Sequence, residues 1–393
     1  MKILLGAFSC RPGGGGEDGA GWTFARAAAL GHDVWLVTEA YNADVIEEAL
    51  RREPALRLRP VYVEIARLRR IAPRNRLTQQ IYYVIWQFRA ARVARRLHDQ
   101  IGFEVAHHVT LASDFLPMGV ARQRDIPVVL GPIGGYGRVP RPLRRWLGWQ
   151  GRLQRWVNDP VISAMRWVLV ERAARRAAVI VTLNREVAGR FRRATRVVVE
   201  PNPAFVLDDL RVGQPPPRRE RLALFAGRVV TWKGTLLAIA AIAQPAAAGW
   251  RLEMIGPGSE ADLATIRRVA ARLGVEDRVD IRGWMPRDEL LAELRGAHCL
   301  LYPSLLDSGG WVLAEAMTLG TPVVGLDWLG VASIAGDVGY LVPPDRNAPR
   351  ALARVLTRVP LGVDTSDRWD ADRLPAFLNE IYEEAVTRRR SHL

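Results

Sequence analysis

Long hydrophobic runs are missing from this chain. The longest stretch without a charged residue, Gly234 to Trp250, is 17 residues long and is interrupted by Gln244 and Pro245. That is too short and too broken to cross a bilayer, and it is expected as a buried helix with its loop. Cysteine is almost absent. Cys10 and Cys299 lie far apart and show neither disulfide nor metal-ligand spacing, so a reducing, cytoplasmic compartment is expected. The opening MKILLGAFSCRPGGGG has an apolar run too short for a secretory leader. A glycine turn stands where a cleavage site would be, so the run is read as a first β-strand. No short-period repeat is visible. The lone Asp-x-Asp, Asp370-Ala371-Asp372, stands before a terminal helix rather than after a core strand, where helix capping explains it. No metal and no cofactor is expected.

What is present suits a folded α/β protein. At 393 residues and 49% hydrophobic, the chain can bury a full core in each of two domains. Short apolar runs read as strands at 2–8, 33–38, 58–63, 105–109, 127–130, 179–183 and 196–200. They alternate with helical stretches such as 21–30 and 77–100. Uniformly apolar runs suit strands buried on both faces of a parallel sheet. Residues 201–220, with Pro215 to Pro217, break the rhythm like a linker. Strand-like runs then resume at 222–226, 250–255, 279–281, 298–301 and 322–325. The reading is a doubly wound α/β chain. Its domains are 1–203, 204–369 and a terminal helix, 370–393, packing back toward the first.

The second half carries the chemistry. In RLALFAGRVVTWKG, Arg228 and Lys233 stand between a strand end at Gly227 and the start of an apolar helix. Ligands bind at such strand ends, and a helix N-terminus adds free amides for a diphosphate. Gly256 in IGPGSE lets backbone approach a ligand. Gly283-Trp284 in GWMP offers an amide and an aromatic to a nucleobase. In LLYPSLLDSGGWVLAEAMTLGTPVV, Asp307 sits in a loop and Glu315 eight positions on in a helix, with Gly309, Gly310 and Trp311 between. Glu315 is framed by Leu313, Ala314, Ala316 and Met317, an odd setting for a solvated charge.

Taken in order, GRVVTWKG, IGPGSE, GWMP, the Asp307–Glu315 segment and GYLVPP resemble the retaining glycosyltransferases of family 4 (glycosyl transferases group 1). The resemblance implies a GT-B fold, two Rossmann-like parallel-sheet domains facing an inter-domain cleft. It implies that Arg228 and Lys233 hold a donor diphosphate, Glu315 the ribose, Asp307 the sugar, and Gly283-Trp284 the base. The family's first acid is usually Glu, so Asp307 is one methylene short.

The first half resembles the family more loosely. Gly13, Gly14, Gly15 and Gly16 follow the first strand like the family's cleft glycine loop. His107 and His108 close a strand where the resemblance implies a catalytic histidine, and the sequence leaves open which one faces the cleft. LGPIGGY at 130–136 and Glu200-Pro201-Asn202-Pro203 also match recurring family loops.

The net charge of +15 favours an anionic partner. Two patches interleave arginine with aromatics. One spans 67–96, with Arg67, Arg69, Arg70, Arg74, Arg76, Tyr82, Tyr83, Trp86 and Phe88. The other spans 138–156, with Trp146, Trp149 and Trp156. Such patches suit an anionic membrane face. The function expected is therefore a metal-independent, retaining, hexosyl-type glycosyltransferase, cytoplasmic or peripheral on the inner membrane face. It would move sugar from a nucleotide-diphosphate sugar to a lipid-linked or polysaccharide acceptor in cell-envelope glycan synthesis, with no nucleic acid involved. A nucleotide-sugar epimerase and a non-catalytic basic lipid- or nucleic-acid-binding protein are the alternatives.

Overall fold

The computed structural model describes residues 1–65, 76–211, 213–214 and 216–390. Arg67, Arg69, Arg70, Arg74 and Pro215 lie outside the described residues. The chain divides into two units. The first comprises Met1–Tyr136, Val161–Ala204 and Ala371–Leu393, and the second Gly137–Pro160 and Phe205–Asp370.

The first unit holds β1 (Lys2–Gly6), β2 (Asp33–Glu39), β3 (Leu58–Val63), β4 (Val105–His108), β5 (Val128–Ile133), β6 (Val179–Thr182) and β7 (Val197–Val199). All pair parallel in the order 3-2-1-4-5-6-7. Ile3 and Leu5 face one apolar layer with Phe24 and Tyr382, while Leu4 faces another with Tyr82 and Trp86. Burial on both sides is why these strands read as unbroken apolar runs.

The second unit holds β8 (Arg219–Ala226), β9 (Arg251–Ile255), β10 (Val279–Gly283), β11 (Ala297–Tyr302), β12 (Val323–Leu326) and β13 (Tyr340–Val342). Its six parallel strands run 10-9-8-11-12-13. Every residue of the helix Thr235–Ile242 is buried against this sheet's core.

Five local features differ from expectation. Residues 1–203 do not stay together, because Leu143 and Leu147 in Gly137–Pro160 join the second unit's core. The helix after the glycine loop begins at Gly16 rather than Gly21, its first turn holding Glu17 and Asp18, charges that favour a helix N-terminus. β8 begins at Arg219, inside the expected linker. β13 is three residues long, too short to show a period. The terminal helix runs Leu374–Arg390 after a 3₁₀ turn at Ala371–Arg373.

Candidate donor site in the second unit

The second sheet reverses its winding between β8 and β11, which are neighbours though three apart in chain order. Loops leaving such adjacent strands diverge and open a crevice at the strands' C-terminal ends. Lys233 comes from the loop after β8 and Asp307 from the loop after β11, so the two meet at this switch point. The Lys233 ammonium is paired with Asp307 Oδ2 and donates to the Tyr302 hydroxyl at 2.8 Å. That hydroxyl donates in turn to Asp307 Oδ2 at 2.5 Å. Asp307 Oδ1 accepts the amides of Gly309 and Gly310 at 3.4 and 3.2 Å.

Electrostatics fixes the charge states. Burial works against an ionised Asp307, but the Lys233 ammonium and the bonds from Tyr302 and Gly309 prevail and hold its carboxyl below the ordinary range. Burial, with the Asp307 charge adding to it, pushes the Tyr302 phenol well above its ordinary range, so it remains a neutral donor. The Tyr302 ring stacks on Phe225, centroids 5.5 Å apart, which fixes its tilt. Arg228 lies over the Trp232 ring at 4.8 Å, and the Lys233 ammonium lies 5.1 Å from the same ring. Two cations against one carboxylate leave the cluster net positive. A carboxylate has about four acceptor positions, and protein donors fill them at Asp307. The side chain expected to contact a sugar is thus committed to Lys233, Tyr302 and the glycine amides.

Glu315 sits on the helix Trp311–Thr318 that Gly310 caps, roughly 6 Å along the axis from Trp311. It is buried and ion-paired to Arg287 at 2.7 Å. Burial raises its carboxyl above the ordinary range, with the guanidinium opposing. Trp311 packs edge-on against Phe205, centroids 5.1 Å apart.

The glycines at the strand tips are structural as well as permissive. A Cβ on Gly256 would stand 2.0 Å from the Gly227 carbonyl oxygen, and one on Gly234 2.0 Å from the Pro303 carbonyl oxygen. Gly283 takes φ +74° with open space around it. Trp284, beyond β10, is 72% exposed. It is therefore not a core tryptophan and is free to stack on a flat ligand.

The first-unit candidates separate. His107 Nε2 lies 2.8 Å from the Gly131 carbonyl oxygen, which can only accept, so Nε2–H donates there. Its Nδ1 then accepts from the Tyr382 hydroxyl at 2.7 Å. Burial lowers its pKa to about 4. Both nitrogens are used, so the expectation of a catalytic His107 is corrected to a core residue tying β4 to β5 and the terminal helix. His108, on the opposite face of β4, has neither ring nitrogen hydrogen-bonded within normal geometry. Burial and the neighbouring His107 lower its pKa to about 3, the Thr110 backbone opposing slightly. Its ring is buried like that of His107. Gly13, Gly14 and Gly15 form the turn before Gly16 opens the helix.

The first arginine-rich patch is corrected in part. Tyr82, Tyr83 and Trp86 are core residues, and of its four aromatics only Phe88 is exposed. In the second patch, Trp149 and Trp156 are exposed.

Sequence reasoning missed Tyr302 and Arg287. Tyr302 ends an apolar strand, where an aromatic looks like core. Arg287 follows Pro286 at the opening of the helix Arg287–Gly296, a helix-start signal that hides a charge aimed at Glu315.

Residues 208–370 match the family model described as Glycosyl transferases group 1. A 2-deoxystreptamine glucosyltransferase of Streptomyces kanamyceticus is 31% identical over 52% of this chain and 55% of its own. The chain spans about half the length of the curated relatives it matches. Among solved structures, sucrose-phosphate synthase from Thermosynechococcus elongatus aligns over 98% of both chains at 17% identity and TM-score 0.57. Anabaena Alr3699/HepE in complex with UDP aligns over 98% of this chain and 100% of its own, at 17% identity and TM-score 0.53. Residues 208–370 thus resemble the glycosyl transferases group 1, on a chain built of two Rossmann-like units of the GT-B fold.

Proposed function

We propose that the protein is a retaining glycosyltransferase whose second unit binds a nucleotide-diphosphate sugar. One observation carries the reading: at the switch point of β8 and β11, Lys233 is braced by Tyr302 and Asp307 beside Arg228. Such a preorganised positive centre stabilises charge growing on a leaving diphosphate, the contribution that dominates this kind of catalysis. The HepE structure, with its bound UDP, supports a nucleoside diphosphate as ligand. In this mechanism the acceptor hydroxyl oxygen bonds to the anomeric carbon on the face the diphosphate oxygen leaves. The C–O bond to the diphosphate breaks, and the hydroxyl proton passes to the departing phosphate. Glu315, steered by Arg287, takes the ribose hydroxyls, and Trp284 stacks on the base. No step uses a metal.

For the acceptor, exposed Trp149 and Trp156 among arginines support a lipid-linked or polysaccharide glycan at an anionic membrane face. The relative named for transfer to 2-deoxystreptamine supports a small polar cyclitol instead. Incubation with nucleotide-sugars and each acceptor class, with and without EDTA, tests both. We expect nucleoside diphosphate release that depends on acceptor, survives chelation and vanishes in Lys233→Ala, with the donor's anomeric configuration kept in the product by NMR. Release at the wild-type rate in Lys233→Ala would sink the reading, and acceptor-free epimerisation of the donor would replace it.

A further inference from the structure

A second cluster of cations stands away from the donor centre, within the second unit. Arg145, Arg272, Arg346 and Arg350 converge on an open cavity of about 600 Å³. Among the described residues, none of the four has a carboxylate partner within 4.0 Å, whereas Arg211, Arg219, Arg282 and Arg287 of the same unit each have one. Asp345, the nearest acid in the chain, turns its carboxylate onto the Asn347 amide at 2.7 Å. Arg145 stacks over Trp146 at 5.0 Å and donates to the Arg346 carbonyl oxygen at 3.2 Å, which braces it over the cavity.

The position is costly for stability. Arg346 and Arg350 flank the N-terminal turn of the helix Ala348–Leu356, which has no acidic residue in that turn and no side-chain cap. A helix N-terminus carries partial positive charge, so cations there are disfavoured and an anion is favoured. Guanidinium forks match phosphate oxygens in pairs. A phosphate between the arginines and the helix end would relieve the repulsion.

The cavity's other wall is apolar. Leu236 and Ala240 come from the helix Thr235–Ile242, and Val269 and Leu273 from the end of the helix Glu260–Arg272. Leu273 is 39% exposed, and the Trp146 indole N–H is buried with no partner. A wall of this kind gains nothing from a bare anion but shelters an attached hydrocarbon chain.

We infer that this cavity is a second ligand site, separate from the donor centre, that takes the phosphate of a phosphorylated amphiphile with its apolar chain along Leu236 and Leu273.

Calorimetric titration of the full chain tests this with dodecyl phosphate below its micelle concentration, inorganic phosphate and dodecyl maltoside. Dodecyl phosphate is expected to bind at least tenfold more tightly than either control. Its affinity should fall at least tenfold in the double variant Arg272→Ser/Arg350→Ser and again in Leu273→Glu. Melting temperatures should not fall below the wild type's, since all three changes are at exposed or rim positions and the loss of Arg350 relieves repulsion at the helix end. Inorganic phosphate binding as tightly as dodecyl phosphate would remove the apolar chain from the assignment. Dodecyl phosphate affinity unchanged in both variants would overturn the site. Tighter binding of a short single-stranded oligonucleotide through the same arginines would reassign it to nucleic acid.

Discussion

Lys233 is one of only two lysines in the chain, the other being Lys2, among 56 basic residues. Arginine is the default cation here, so a lysine at the switch point marks a place where a guanidinium does not fit. An ammonium is compact and can sit between the Tyr302 hydroxyl and Asp307 Oδ2, while a planar fork would displace one of them. Lys233→Arg should therefore lower kcat/KM roughly ten- to hundredfold despite keeping the charge, as steady-state kinetics would read. Tyr302→Phe removes a hydrogen bond shared by two charged groups, worth about 1.5–3 kcal/mol. We expect kcat/KM about tenfold lower with the fold intact. An unchanged kcat/KM in that variant would assign Tyr302 to packing alone.

At the scale of elements, the glycine-tipped strands set the geometry of the proposed donor site. Gly234 takes φ +84° against the Pro303 carbonyl, so Gly234→Ala combines backbone strain with a collision. A loss of about 2–4 kcal/mol is expected, seen by calorimetry as a melting temperature lower by roughly 5–15 °C. In the first unit, β4 carries two histidines held neutral, with pKa values of about 4 and about 3. Both lie below the unfolded value of about 6.5, so below that pH the unfolded chain binds protons that the native chain does not. Stability should fall on acidification from about pH 6.5, by up to about 1.4 kcal/mol per pH unit for each histidine. His108→Phe should flatten that slope between pH 6 and 5 by about one proton's worth, as denaturant titrations would measure. An identical slope would show that His108 is protonated in the native state.

Most of these elements were legible because strands buried on both faces announce themselves as apolar runs. β13 was not, because three residues carry no period. The helix start at Gly16 was hidden by Gly19 and Gly21, glycines that lower helix propensity. Gly21 is kept for packing, since a Cβ there would meet the Ser9 carbonyl oxygen at 2.0 Å. At the candidate site, residue types and order pointed to Lys233, Asp307 and Glu315. Their partners were invisible because Tyr302 and Arg287 reach them through space. The commitment of Asp307 to Lys233 is likewise a property of side-chain direction.

For the whole molecule, the charge of +15 is spread over several sites with different roles. Arg228 and Lys233 stand at the proposed donor centre. Arg166 and Arg190 both pair with the fully buried Asp114 of the first unit and are structural. Arg145, Arg272, Arg346 and Arg350 surround an apolar-walled cavity. Composition alone could not apportion them, since each sorting depends on which carboxylate lies within reach. The proposal for the whole molecule is that the β8–β11 switch point receives a nucleoside diphosphate. Isothermal titration of UDP, GDP, dTDP and ADP into wild-type protein and Lys233→Ala tests this most directly. One of the four is expected to bind with one-to-one stoichiometry and to lose at least tenfold in affinity in the variant, whose circular dichroism stays that of the wild type although its melting temperature falls as Asp307 loses its partner. Equal affinity in both proteins, or no binding of any of the four to the wild type, would contradict it.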